Sequence, residues 1–600
     1  MSELVELYGT DQPLETPLSV SFGPVAFDLG NGAISHLTVD GREILRQVAF
    51  LARDRDWGTR PAEVGPIAQT REGEDLVLTC HLVFENPPGR LDVDLTIRVR
   101  PDGLDVEAAG KATGRFETNR TGFMVLHPIT GQAGAPVTVT HTDGRVEDGH
   151  FPERIAPWQP FMDMAGITHR VGDLECRCRF EGDAFEMEDQ RQWGDASFKT
   201  YNRPIALPWP YAIADGEDLR QAVRIAWAPV RPAEAKPAEQ LAAGTAFPQT
   251  AILVTADHAR RAARNIGDLD AVRPQRLLCH VDASLGDVEG QFAAHAALQA
   301  AATGYRFDLE MIADFGADAR VDPEPILSGY ASVMRETGFA PDSVMVCPAV
   351  DRQSTPPGSA WPPCPPLDAI HEAARRQFGA ARMGGGMSSF FPELNRKRPP
   401  IERLDFVSHS LCPIVHDAGD RAVMETLEAV SHITASARAI IGARGYRIGP
   451  STIAMRQNPY GARTIPNPDR RRVAMTDDDP RHAGRFAAAY AVGLATALAP
   501  AGAEVWTPAE LYGPRGLFAA DGSPLPLTEA IAALAACAGM MVEAAEMDGE
   551  RARLALSGAM LHANLTPRPL DDLPPFGWTV RHGVGDTLRQ GGAGGTRSKG

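Results

Sequence analysis

The stretch GGGMSSFFPELNRKRPP, residues 384–400, stands between a helical pattern over 366–378 and the apolar run LDFVSHSLCPIVH (404–416). Three consecutive glycines allow close backbone approach, and Phe390 and Phe391 offer ring faces. Glu393 and Asn395 follow at once, on an expected loop. Alternation of strand and helix extends from here in both directions. Upstream, RLLCHVDAS (276–284), YRFDLEMIAD (305–314) and SVMVCPAVD (343–351) read as strands, followed by helical stretches at 289–303, 323–337 and 366–378. Downstream, residues 404–416 lead into a long helix over 421–442, and YRIGPSTIAM (446–455) into another over 481–499. EVWTP (504–508) and GLFAADG (516–522) complete the strands, with a last helix at 526–545. The count of about eight strands predicts a (β/α)8 TIM barrel over 275–545 rather than an open doubly wound sheet. No GxGxxG or GxxxxGK[ST] follows a strand, so nucleotide binding has no support.

Six hundred residues exceed what one core holds, and the chain on either side of the barrel has a different texture. In residues 1–232, Leu91, Val93, Leu95, Ile97 and Val99 alternate with polar residues, the period of a half-buried strand. Pro101-Asp102-Gly103 and Asn86-Pro87-Pro88-Gly89 supply turns between such runs, which predicts an N-terminal β-sandwich. Two passages there are not generic, NRTGFMVLHP (119–128) and FEMEDQRQWGDASFKTYNRPIALPWP (185–210). A polar sandwich face and the wall of a pocket are both open readings of the second. Residues 233–274 read as a connection that begins rich in Pro, Ala and charge, and residues 546–600 as a small C-terminal β module. Its end, RQGGAGGTRSKG, reads as a disordered tail. The fold class is therefore multidomain, α/β plus all-β.

Composition narrows the function. A net charge of −18 without a basic stripe argues against nucleic-acid binding. No run has the length of a membrane span, and the N-terminus has no signal-peptide pattern. The eight cysteines are scattered with no CxxC pair, consistent with reduced thiols in a cytoplasmic protein. No HxH or HExxH spacing occurs, so neither a metal nor any other cofactor is expected. Oligomeric state is not legible.

Barrels of this kind build their active sites at the C-terminal ends of the strands. The polar residues there include Asp351 and Arg352, and a set suited to a small polyhydroxylated ligand: His280, Asp282, Glu310, Asn395, His416 and Arg456. Glu393 and Glu510 are the candidate catalytic pair. By this count they follow strands four and seven, where one large clan of barrel glycoside hydrolases carries its acid/base and nucleophile. One carboxyl would donate a proton to a leaving oxygen while the other attacks or activates water. Each acid also has a plain structural reading, Glu393 tying a turn and Glu510 pairing with Arg515. A non-catalytic carbohydrate-binding barrel is a third possibility.

The layout, together with NRTGFMVLHP, EMEDQRQWGDASFKTY, GGGMSSFFPELNRKRPP, LCPIVHDAGD and ELYGPRG, resembles the D-apionate lactonase family from roughly residue 20 to 570. The resemblance implies hydrolysis of D-apionolactone, a branched five-carbon sugar lactone, to D-apionate in apiose breakdown. A retaining glycoside hydrolase acting on a furanoside with the same two glutamates is the alternative. A flat lactone carbonyl and an oxocarbenium-like furanoside transition state are close in shape. No GxSxG elbow is present, which argues against an ordinary serine esterase.

Overall fold

A computed structural model describes residues 2–231, 244–357, 359–460 and 463–583, with the backbone of Arg589–Gly591. The chain divides into two compact units, Leu14–Glu239 with Pro356–Ser359, and Met1–Pro13 with Gln240–Thr355 and Ala360–Gly600.

The first unit is the expected sandwich. The strand Gly89–Arg100 buries its alternate apolar residues and pairs antiparallel with Asp75–Asn86 and Gly103–Thr113, Val99 lying opposite both Leu76 and Leu104. Ten such strands form one sheet and eight the other, and every pairing in them is antiparallel. One boundary differs from expectation. Residues 3–8, read as part of the sandwich domain 1–232, form the helix Glu3–Tyr8, capped by Ser2, and belong to the other unit. There Tyr8 packs 6.0 Å from the Phe486 ring and 5.3 Å from that of Phe576. A six-residue helix is too short for its period to show in a sequence.

In the second unit eight parallel strands close into a barrel. They are β1 (Gln249–Val254), β2 (Arg276–Asp282), β3 (Arg306–Ala313), β4 (Ser343–Pro348), β5 (Arg382–Phe390), β6 (Phe406–Leu411), β7 (Gly445–Ser451) and β8 (Val505–Glu510). The eighth strand is not at 516–522, where the sequence pattern places it. β1 lies inside the stretch 233–274 expected to be a connection, and it closes the barrel by pairing with both β2 and β8. GLFAADG (516–522) is not a strand but a turn after β8. The barrel therefore begins near residue 249, and every later strand moves up one place in the order. Glu393 follows β5 and Glu510 ends β8, so the analogy with strands four and seven does not hold. Glu393 and Asn395, expected on a loop, sit in the helix Phe391–Lys397.

The glycine run belongs to β5, and its close approach is to neighbouring side chains and the adjacent strand. A Cβ on Gly384 would lie 2.1 Å from the Phe406 ring, and one on Gly386 2.1 Å from the carbonyl oxygen of Ser408 in β6. Beyond Gly386 the pairing of β5 with β6 shifts register before Phe390 meets Ser410. Such irregularities bend a strand and re-aim its groups near its end.

The C-terminal module is a five-stranded antiparallel sheet of Val542–Met547, Arg551–Leu556, Ala559–Asn564, Trp578–His582 and Arg589–Gly591. It starts inside the expected last helix, which ends at Ala536, and Arg589–Gly591 of the expected tail forms its last strand. Residues 232–243 and 592–600 lie outside the described residues. No helix among the described residues is long and apolar enough to cross a membrane.

Gly386 has φ +111°, a conformation side-chain-bearing residues rarely adopt, besides its clash with β6. Gly386→Ala is expected to destabilise the barrel by at least about 2 kcal/mol. Denaturant unfolding measures this, and an unchanged midpoint would contradict the close-approach role.

Candidate active site

The barrel interior holds charge at two levels. Period-two alternation along β3 places Asp308 and Glu310 on one face. Near the strand starts, Asp308 receives Arg276 Nε and Nη2 at 2.5 and 2.8 Å and Ser343 Oγ at 2.5 Å, with Arg447 Nη1 3.4 Å away. A cavity of about 20 Å³, room for a single water, borders Asp308, Ser343 and Arg447, and Glu310 lines it as well.

Glu310, one pleat further along β3, binds one group from a neighbouring strand and one from a segment beyond a strand end. His280 Nδ1 of β2 lies 2.8 Å from its Oε1, and Arg456 Nη2, from the segment after β7, lies 2.7 Å from the same oxygen. Arg456 Nη1 also donates to the Ser388 carbonyl at 3.4 Å, in the shifted part of β5. Burial works to raise the Glu310 pKa, but Arg456 and His280 outweigh it and hold the carboxyl at about 2. Glu310 is thus a fixed anion.

Glu510 ends β8 in a comparable field. Arg515 Nε donates to its Oε1 at 2.8 Å, and the Glu510 amide donates to the Arg515 carbonyl. Burial pushes this carboxyl up, yet Arg515, Arg456 and His258 together hold it below the ordinary glutamate range. Glu393 differs. Its Oε1 accepts from Ser354 Oγ at 2.7 Å, the Thr355 amide at 3.3 Å and Arg396 Nη1 at 3.3 Å, and burial still raises its pKa. Both local readings from sequence are therefore present, since Glu510 pairs with Arg515 and Glu393 ties the turn after β4. No hydrogen bond or ion pair among the described residues joins the two glutamates. Each oxygen Oε2 is without a hydrogen-bond partner among those residues.

The remaining expected residues divide. His280, Glu310 and Arg456 come together directly, and the charge of Arg456 acts on Glu510 as well. Asp282 instead binds Arg352 Nη1 at 2.5 Å and caps the turn to Ser284. Asn395 is buried in its helix, and half-buried His416 has its ring 6.4 Å from that of Tyr460.

Two groups at this end of the barrel lie outside the expected set. Asp351, after β4, is paired with Lys397, and burial raises its pKa despite that lysine. Its Oδ2 is buried without a hydrogen-bond partner. His258 follows β1 and was lost with that strand, although Thr255 before it is a legible N-cap. Burial lowers its pKa, leaving a neutral imidazole whose charge environment includes Glu510. Among the described residues no group of three or more His, Cys, Asp or Glu side chains could hold a metal ion.

Comparison with known proteins places this architecture. Residues 5–230 match the family model described as D-apionate lactonase, N-terminal domain, and residues 250–539 the one described as D-apionate lactonase, TIM barrel domain. The chain belongs to the D-apionate lactonase family. It is 44% identical over 529 residues to D-apionate lactonase of Brucella anthropi, covering 86% of each chain. Among solved structures, a putative aldose 1-epimerase of Escherichia coli K12 matches 36% of this chain and all of its own, at 12% identity and TM-score 0.26. A GH30 endoxylanase of Clostridium papyrosolvens matches 54% of this chain and 83% of its own, at 8% identity and TM-score 0.33. Likeness of that degree carries nothing about the reaction. The family match runs through β1, in agreement with a barrel that begins near residue 250.

Glu310→Gln would leave Arg456 buried without its anion, at a cost of about 3–5 kcal/mol at pH 7. Glu310 has a folded pKa below its ordinary value of 4.5, so its contribution is complete above that pH and is lost as pH falls toward about 2. The stability gap between wild type and variant should therefore narrow from pH 7 to pH 3. Unfolding curves at both pH values give the comparison, and a gap independent of pH would contradict the ion pair.

Proposed function

We propose that this protein hydrolyses a sugar lactone, D-apionolactone to D-apionate, in carbohydrate catabolism. The observation that carries the reading is the 44% identity, over most of both chains, to a protein named D-apionate lactonase. The strand-end chemistry supports it. Opening a lactone requires water activated toward a carbonyl, donors for the tetrahedral oxyanion, and a proton for the departing ring oxygen. Two carboxyls in opposite electrostatic fields suit different parts of that task.

Glu393, raised by burial, is the proposed proton donor to the ring oxygen. Glu510 is kept ionised beside Arg515 and Arg456, which makes it a weak base and a strong acceptor for substrate hydroxyls. Arg456 is the proposed oxyanion donor, with Asn395 and His416 as further candidates for the sugar hydroxyls. The substrate is a free small molecule. Seven of the eight cysteines are buried and none is disulfide-bonded, which supports a reducing, cytoplasmic setting.

Two measurements test this. Incubated with D-apionolactone and a panel of aryl furanosides, the protein should release acid from the lactone, read by pH-stat, and no aryl alcohol. Furanoside cleavage without lactone hydrolysis would overturn the reading in favour of a glycosidase, and inactivity on both in favour of a binding protein. Among variants, Glu393→Gln should lower kcat at least about 10²-fold with KM little changed. Glu510→Gln should instead raise KM roughly tenfold or more, the loss of a charge-assisted hydrogen bond worth about 1.5–3 kcal/mol. Equal kcat in wild type and Glu393→Gln would remove Glu393 from the chemistry.

A further inference from the structure

Glu393 and Glu510 leave the water-activating group unassigned. Glu510 is a poor candidate because an arginine already occupies one of its oxygens and a second lies within its field. The geometry points to His280 as the general base that activates the hydrolytic water, an inference that rests on the lactone-hydrolase reading above.

Its Nδ1 lies 2.8 Å from Glu310 Oε1, and Arg456 Nη2 crowds the same oxygen at 2.7 Å. Arg456 Nη2 also approaches Nδ1, at 3.3 Å, but it donates to the nearer Glu310 oxygen. A carboxylate only accepts, so Nδ1 carries the hydrogen and donates it to Glu310, and the lone pair resides on Nε2. Nε2 has no hydrogen-bond partner among the described residues. The His280 side chain is 19% exposed against 3% for Glu310, so the ring stands with its bonded edge inside and an accessible remainder. Its backbone is held too, because His295 Nε2 lies 3.2 Å from the His280 carbonyl oxygen, within donating distance. A carboxylate bound to one imidazole nitrogen fixes the tautomer and orientation and stabilises the imidazolium formed when the other takes a proton. Glu310 is in this sense a positioning residue.

In the step, the proton of water passes to Nε2 and the water oxygen bonds to the lactone carbonyl carbon. The resulting oxyanion falls to Arg456. Collapse breaks the bond between that carbon and the ring oxygen, which leaves with a proton from Glu393. The imidazolium returns its proton to Glu393 through solvent, and the new carboxylic acid ionises, releasing one proton per turnover. No oxidant, reductant or metal enters the balance.

His280→Asn is the test, because the Asn amide can keep a donor toward Glu310. The groups facing His280, namely Glu310 of β3, Arg456 beyond β7 and His295 of the helix Val288–Ala301, are unaltered in it. The variant should melt within a few degrees of wild type with KM within about threefold, while kcat falls at least about 10²-fold. Its residual rate should rise about tenfold per pH unit as hydroxide replaces the missing base. His280→Gln, read by the same criteria, serves if His280→Asn does not fold. A wild type active on D-apionolactone with a variant of near-normal kcat would overturn this inference and leave the function standing. A loss confined to KM would overturn it as well, making His280 a binding residue. A wild type inactive on the lactone would overturn both.

Discussion

Charges that point into a closed barrel of parallel strands have little water to solvate them, so each must find its partner across the barrel. That constraint governs the second unit of this protein. Asp308 meets it near the strand starts with Arg276 and Arg447, and Glu310 meets it one pleat higher with His280 and Arg456. An ion pair so enclosed returns little net stability, since desolvation consumes most of the attraction, but breaking one is costly. Its effect is therefore on arrangement: β2, β3 and the segment after β7 are tied to one oxygen atom. Arg456 adds β5 through the Ser388 carbonyl, reached because the register shift after Gly386 turns that part of the strand.

The same pairing divides the chemistry. Carboxyls surrounded by arginine are held ionised, as Glu310 and Glu510 are, and become fixed anions that orient or accept. Carboxyls whose burial exceeds their cationic support, Glu393 and Asp351, are pushed toward the protonated form. The proposed lactone hydrolysis uses both kinds, together with a group able to take and return a proton. In that proposal Glu510 and Glu393 supply the first two, and His280, its Nδ1 held by Glu310, supplies the third. A symmetric pair of acids, one attacking and one protonating, is not what these environments favour.

Much of this was legible beforehand. Alternation of strand and helix needs only local periodicity, so most barrel strands were placed within a few residues and the sandwich strand at 91–99 with its register-defining pattern. β1 was missed because a proline-rich, charged connection precedes it, and a single apolar run of that length is ambiguous without its partners. Losing one strand shifted the order of all others, and with it the comparison to strands four and seven. His258 was lost for the same reason. The residues His280, Glu310 and Arg456 could be named from their strand ends, but nothing along the chain said that three positions up to 176 apart share one contact.

The amino-acid sequence by itself determined the barrel, the sandwich, the small terminal sheet and the family, because hydrophobic period and long motifs are properties of neighbouring residues. Only the tertiary structure decided which distant groups meet each acid, which acids are raised and which imidazole nitrogen is left open. Those are set by burial and by charges brought close through folding, at distances of about 3 Å where the energy of a charge depends on what excludes water around it.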